Sequence, residues 1–212
     1  MSELIQRNTC YSCYRPSTSC MCEHVNKIDT NTKFVILMHP KEYKKTKNGT
    51  GHFTNLSLPN SEIYIGIDFT NHKRINEIIK DKNSNSFLLY PGDDSIKLNT
   101  QKIGTSEKTN VIFILDSTWP CSRKMLRLSK NLQSLNKVSF VHEKSSAFKI
   151  KLQPKEYCLS TIESTLCVLE LLNKHKIENI EEKKFELFLE PFEKMVEYQL
   201  SCITQNSNIR YK

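Results

Sequence analysis

In the stretch Phe113-Ile114-Leu115-Asp116-Ser117-Thr118-Trp119 an apolar run stops at an acid, two hydroxyl residues and the only tryptophan of the chain. A carboxylate where a buried strand ends is a candidate general base, because it is held in place and partly removed from water. Two other apolar runs stop as abruptly. "KFVILM" runs into His39-Pro40-Lys41-Glu42, and "SFLL" into Leu89-Tyr90-Pro91-Gly92-Asp93. A fourth group, Leu159-Ser160-Thr161-Ile162-Glu163, reads as a capping box, with a hydroxyl at the N-cap and Glu three residues on. The remaining donors of such a helix start could hold an anion.

The second chemical cluster is Cys10-x2-Cys13 followed by Cys20-x-Cys22. Four thiolates within thirteen residues suit a closed, structural zinc site better than scattered disulfides or a catalytic metal, which needs an open position. The second pair is tight, so His24 is an alternative fourth ligand. Cys121, Cys158, Cys167 and Cys202 are dispersed and read as small apolar residues.

The elements that must position these groups follow from hydrophobic pattern. Unbroken apolar runs at 34–38, 87–89 and 111–115 fit strands covered on both faces, as in a parallel sheet. "SEIYIGIDF" and "KVSFV" supply two more strands. "NHKRINEIIKDK" reads as a helix capped by Asn71, and "SRKMLRLSKNLQSL" as one helix with Arg123, Lys124, Arg127 and Lys130 off its apolar face. A helix follows the capping box, and a last one carries Pro191, which should kink or split it. The stretch 41–60 reads as a long polar loop. Strands alternating with helices predict an α/β domain, residues 31–212, whose mostly parallel sheet has flanking helices. An N-terminal zinc-ribbon module, residues 1–30, precedes it. Ligands of open α/β sheets sit beyond the carboxyl ends of the strands, so the three polar strand ends should meet in one crevice.

The net charge of +8 is uneven: residues 1–177 hold 26 Lys and Arg against 16 acids, and the rest hold 5 against 7. A basic body suits a polyanion such as nucleic acid. The chain shows neither an apolar leader nor a span, so a soluble, cytoplasmic protein is expected, with no membrane association and no obligate protein partner evident. Only five glycines occur, without GxGxxG or P-loop, which disfavours a dinucleotide or nucleotide-triphosphate enzyme.

Taken in order, the CxxC…CxC module, HPKE, YPG, DSTW and "YCLSTIES" resemble the DTW-domain proteins, from about Cys10 to Glu163. The family is named for a D-x-T-W signature, here Asp116, Thr118 and Trp119. The resemblance implies a tRNA-uridine aminocarboxypropyltransferase, which moves the 3-amino-3-carboxypropyl group of S-adenosylmethionine (SAM) to N3 of a tRNA uridine, forming acp3U and releasing methylthioadenosine. It also implies a SPOUT-like fold with a trefoil knot. Leu89–Gly92, Leu115–Trp119 and Leu159–Thr161 would line the SAM pocket. Asp116 would take the N3 proton, Thr118 would orient it, and Trp119 would stack on the uridine. Glu42, in the loop, and Glu163, in the cap, are rival bases. Lys41, Lys44, Lys45 and Lys47, with Arg123 and Lys124, would hold tRNA phosphates. The family's Asn-Thr-Gly reads here as Asn48-Gly49-Thr50-Gly51, and its Arg-x-Arg as Lys149-Ile150-Lys151. A noncatalytic zinc-ribbon RNA-binding protein and a SPOUT-type methyltransferase remain as alternatives.

Overall fold

The computed structural model describes residues 8–44, 49–104, 107–142 and 159–209. Lys45, Lys47, Lys149 and Lys151 lie outside the described residues. Among the described residues six strands form one sheet: β1 (Lys33–Met38), β2 (Ser61–Ile65), β3 (Ser84–Leu89), β4 (Ile96–Lys97), β5 (Thr109–Asp116) and β6 (Asn136–Ser139). Their order is β2-β1-β5-β3-β6-β4, and every strand pairing is parallel. The mostly parallel α/β class expected from the alternating pattern is therefore observed. Residues 143–158, most of the connection between β6 and the next helix, lie outside the described residues.

The helices are α1 (Pro40–Lys44), α2 (Gly51–Ser57), α3 (Lys73–Lys80), α4 (Trp119–Leu128), α5 (Lys130–Gln133), α6 (Thr161–Lys174), α7 (Glu182–Phe188) and α8 (Glu190–Ile209). They cover both faces of the sheet. Phe34, Phe87, Ile112 and Ile114 pack with Ile162, Val168 and Leu169 of α6 and with Phe192 and Met195 of α8. Val35, Leu37, Leu88, Val111 and Phe113 point the other way, toward Ile75 and Ile78 of α3, Met125 of α4 and Leu132 of α5. Successive residues of β1 and β5 thus enter opposite cores, which is why their sequences run apolar without alternation.

Four local expectations change. The stretch 41–60, read as a loop, holds α1 and α2. Glu42 consequently sits in a helix and is buried rather than loop-borne. α3 is capped by His72, whose Nδ1 accepts from the Ile75 amide at 3.4 Å, so Asn71 lies one residue outside. The basic helix breaks at Ser129, whose buried hydroxyl accepts from the Phe69 amide at 3.0 Å while its own amide still donates to the Met125 carbonyl at 2.9 Å. Strand β4 is two residues long, too short to show a period. Pro191 does mark a split: α7 ends at Phe188 and α8 starts at Glu190.

The cysteine segment is fastened to the rest of the protein. Cys13, Met21 and Ile28 are buried in the same cluster as Phe192 and Met195. Asn26 and His24 both reach Glu190 at the start of α8, at 2.9 and 3.3 Å. Where the segment leads into β1, the buried Glu178 accepts from the amides of Asn31 (2.8 Å) and Thr32 (2.7 Å), which fixes the entry to the strand.

Candidate active site

β1, β5 and β3 are neighbours, so their carboxyl ends share one edge. Met38 is in register with Asp116, and Leu89 with Ile114. The pairing continues one residue past β1, where the His39 amide donates to the Asp116 carbonyl at 3.0 Å. The three polar strand ends singled out in the sequence therefore meet as the sheet geometry requires. The chain steps outward from β1 to β2 and then resumes on the far side of β5. Open sheets place their ligand crevice at such a switch point.

Asp116 is buried at the end of β5. The Thr161 hydroxyl, on the first residue of α6, donates to Asp116 Oδ1 at 2.7 Å. This bond joins the DSTW and STIES segments directly. The sequence reading gave the orienting hydroxyl to Thr118; the structure supplies one from Thr161, forty-five residues on. Thr118 stands at the N-cap of α4, where its carbonyl accepts from the Ser122 amide at 2.8 Å. Ser117 Oγ lies 2.7 Å from Ser122 Oγ, tying the turn to the helix that follows. Trp119 opens α4, is 40% exposed, and meets the Tyr90 ring edge-on at 6.1 Å between centroids.

The capping box is formed. Glu163 Oε2 accepts from the Ser160 amide at 2.8 Å and from the Ser160 hydroxyl at 2.6 Å. Glu163 is thereby engaged at the helix start. Leu89, Tyr90, Leu115 and Leu159 are half-buried along the edge, with Pro91 exposed. The Gly92 carbonyl accepts from the Ser95 amide and from Lys97 Nζ at 3.2 and 3.1 Å. A Cβ on Gly92 would meet the Asp94 carboxylate at 2.7 Å, so this turn is closely folded on itself.

A glycine the sequence reading did not single out is tighter. A Cβ on Gly51 would stand 2.1 Å from Asp116 Oδ2 and 2.9 Å from Met38 Cε. The start of α2 is pressed against the carboxylate, and only glycine permits that approach. The signal was present in the glycine-bearing segment 48–51, but the long-loop reading hid its helix.

His39 is buried, and its Nδ1 accepts from the Lys41 amide at 3.1 Å. Burial, with Lys41 and Lys124 adding to it against the opposing Glu42, holds its pKa below the ordinary value. The ring is neutral at physiological pH, with its proton on Nε2. Lys41 and Lys44 on α1, and Arg123 and Lys124 on α4, are all exposed near the crevice.

The four cysteine sulfurs all lie within 4.8 Å of one another. Cys10 and Cys22 are 3.7 Å apart, as are Cys13 and Cys20. A tetrahedral zinc with ~2.3 Å bonds requires sulfurs about 3.8 Å apart. The donor set therefore fits zinc, and the four residues are the expected ones. His24 is occupied by Glu190 instead. Amides of Cys13 and Ser12 bring the Cys10 thiol down to about 6, while burial pushes Cys13 and Cys22 up. Beside them Arg15 is almost fully buried, donates to the Gly49 carbonyl at 3.4 Å, and lies over the Phe53 ring at 4.5 Å. Burial lowers its pKa to about 10, opposed by Cys13, Cys20 and Cys22. Zinc with four thiolates would carry a net double negative charge, which this guanidinium would halve.

Fold and site together define an α/β protein whose polar strand ends share the carboxyl edge of three central parallel strands, beside a four-cysteine module. The DTW domain model matches residues 7–200, and the chain belongs to that family. It is 30% identical over 172 residues to tRNA-uridine aminocarboxypropyltransferase 2 of Drosophila melanogaster, covering 79% of this chain and 67% of the relative. The proteins of the same name from Macaca fascicularis and Mus musculus are 25% and 24% identical over 199 residues, 92% of this chain and 64% of theirs. The chain thus spans about two thirds of the length of the curated relatives it matches. No solved structure matches it. Among the described residues no helix is long and apolar enough to cross a membrane.

Proposed function

We propose that this protein transfers the 3-amino-3-carboxypropyl group of SAM to N3 of a tRNA uridine and releases methylthioadenosine. The observation that carries the reading is the Thr161–Asp116 hydrogen bond, which brings the DSTW and STIES segments together at the edge of the sheet. The names of the relatives support the aminocarboxypropyl group and the tRNA uridine, and the exposed Lys and Arg of α1 and α4 suit a polyanionic substrate.

In this reading Asp116 takes the proton of uridine N3. The freed electron pair forms the N3–carbon bond, the carbon–sulfur bond of the sulfonium breaks, and its electrons return to sulfur, leaving neutral methylthioadenosine. The sulfonium is already a good leaving group, so the protein's work is to make and aim the nucleophile. Thr161 holds the carboxylate in one orientation. Trp119, with Tyr90 against its edge, offers a face on which an extruded uridine stacks. Leu89–Gly92, Leu115–Ser117 and Leu159–Thr161 line the SAM side, and the α6 start receives the carboxylate of its amino-acid end. Lys41, Lys44, Arg123 and Lys124 hold phosphates, with Lys45 and Lys47 continuing the first group. Zinc in the Cys10, Cys13, Cys20, Cys22 site is structural, since four sulfurs leave no open position. The SPOUT-like knot belongs to the same reading, as does the division into a module at 1–30 and a catalytic domain at 31–212. Nucleoside mass spectrometry of total tRNA from cells with and without the protein tests it. Loss of acp3U with the protein supports the assignment, and unchanged acp3U contradicts it.

A further inference from the structure

Three rings from three separate elements gather where the cysteine segment meets the crevice. Tyr14 of the segment lies 6.1 Å from Tyr43 of α1 and 5.3 Å from His52 of α2, and Tyr43 lies 5.8 Å from His52. His52 is buried beneath, while Tyr14 and Tyr43 remain 45% and 36% exposed. Tyr14 is held at φ 58°. That conformation costs a non-glycine residue roughly 1 kcal/mol, and here it leaves nearly half of an aromatic ring in water. Backbone bonds hold the turn, the Tyr14 amide donating to the Cys10 carbonyl and the Cys10 amide to the Arg15 carbonyl, both at 2.8 Å, and the outer ring surface faces solvent. The position is close to the chemistry: His52 follows Gly51, whose Cα faces the Asp116 carboxylate. The surroundings are cationic. Lys41 and Lys44 flank Tyr43 on α1 and are exposed, while the one acid of that helix, Glu42, is buried.

We infer that Tyr14 and Tyr43, backed by His52, form a stacking platform for an unpaired base of the RNA strand next to the nucleotide being modified. Exposed aromatics interleaved with lysines are what a single-stranded nucleic acid recognises: rings take the bases and ammonium groups take the phosphates. A protein partner would use the same rings without needing the lysines. The inference rests on the proposed action on tRNA and adds a second subsite to it. It also gives the cysteine module a role in the substrate path, since the metal loop itself carries Tyr14.

The test is tRNA binding by the full-length, zinc-loaded protein carrying Tyr43→Ala, Tyr43→Phe or Tyr14→Phe, measured across a salt series beside SAM binding and zinc content. Loss of one stacked base should weaken tRNA about tenfold in Tyr43→Ala. Both phenylalanine variants should bind as the parent does, because stacking needs the ring and not the hydroxyl. The salt slope should stay constant in all three, whereas Lys44→Ala should reduce it by about one unit. SAM binding and zinc should not change. Parent-like tRNA binding by Tyr43→Ala overturns the platform while leaving the proposed reaction intact. Failure of the parent protein to bind any tRNA overturns both. Loss of zinc or of SAM binding in Tyr43→Ala assigns the rings a packing role and likewise overturns the inference.

Discussion

Replacing Gly51 by alanine adds one methyl group at the most crowded point of the site. Its carbon would stand 2.1 Å from Asp116 Oδ2 and 2.9 Å from both Asp116 Cγ and Met38 Cε. Non-bonded contacts settle near ~3.5 Å, so the gap to the carboxylate must open by more than ~1 Å. Met38 is fully buried and cannot yield freely. Either Asp116 turns away and gives up its 2.7 Å bond to Thr161, or the start of α2 lifts from the sheet. Overpacking of this kind costs about 1–3 kcal/mol of stability. A misplacement of ~1 Å at a reacting group costs on the order of a hundredfold in rate. Gly51→Ala should therefore remain folded at 25 °C with a lowered melting temperature, and form acp3U about a hundredfold more slowly. Urea melts and single-turnover assays on tRNA measure the two effects. A variant with parent-like rate would show that the position of Asp116 does not govern the reaction.

Thr161→Val removes the donor to Asp116 while keeping shape; a hydrogen bond to a charged group contributes about 1.5–3 kcal/mol. The rate should fall at least tenfold and recover substantially in Thr161→Ser, as stopped-time acp3U assays would show. Cys13→Ser should bind less than one zinc and melt earlier, because Cys13 also packs against the core; elemental analysis and thermal melts check this, and full stability of a metal-free parent would contradict it. Glu62 gives a pH signature remote from the site. Its bond to Arg74, with help from Lys33 and Tyr64, holds its pKa at about 2, below the ordinary 4.5. A depressed carboxylate stabilises the fold above its unfolded pKa and loses that stabilisation as pH falls through the folded value. Glu62→Gln should thus cost about 1 kcal/mol at pH 7, after screening at the half-exposed Arg74, and the deficit should shrink between pH ~4.5 and ~2. Denaturant titrations over that range would reveal it; a deficit constant with pH would refute it.

The sheet was legible because burial on both faces leaves an unmistakable apolar run, and because each run ends in residues no strand needs. His39, Tyr90 and Asp116 fall together for that reason. The capping box was legible because its two partners are three residues apart. What the sequence hid is what depends on distance through space. Nothing local in Thr161 announces Asp116, and nothing in Gly51 announces a carboxylate at its Cα. The short helices α1 and α2 carry too few residues to display a period, so Glu42 and His52 looked loop-borne. Nothing local marks Tyr14, because a positive φ leaves no trace in composition.

The most direct test pairs purified protein with SAM and tRNA and measures methylthioadenosine and acp3U together, for the parent and for Asp116→Asn. That change is nearly isosteric and cannot take the N3 proton. The parent should form the two products in equal amounts. Asp116→Asn should fold, bind SAM and bind tRNA, yet form both products roughly a hundredfold or more slowly. Methylated uridine with S-adenosylhomocysteine from the parent, or near-parent acp3U formation by Asp116→Asn, would contradict the account.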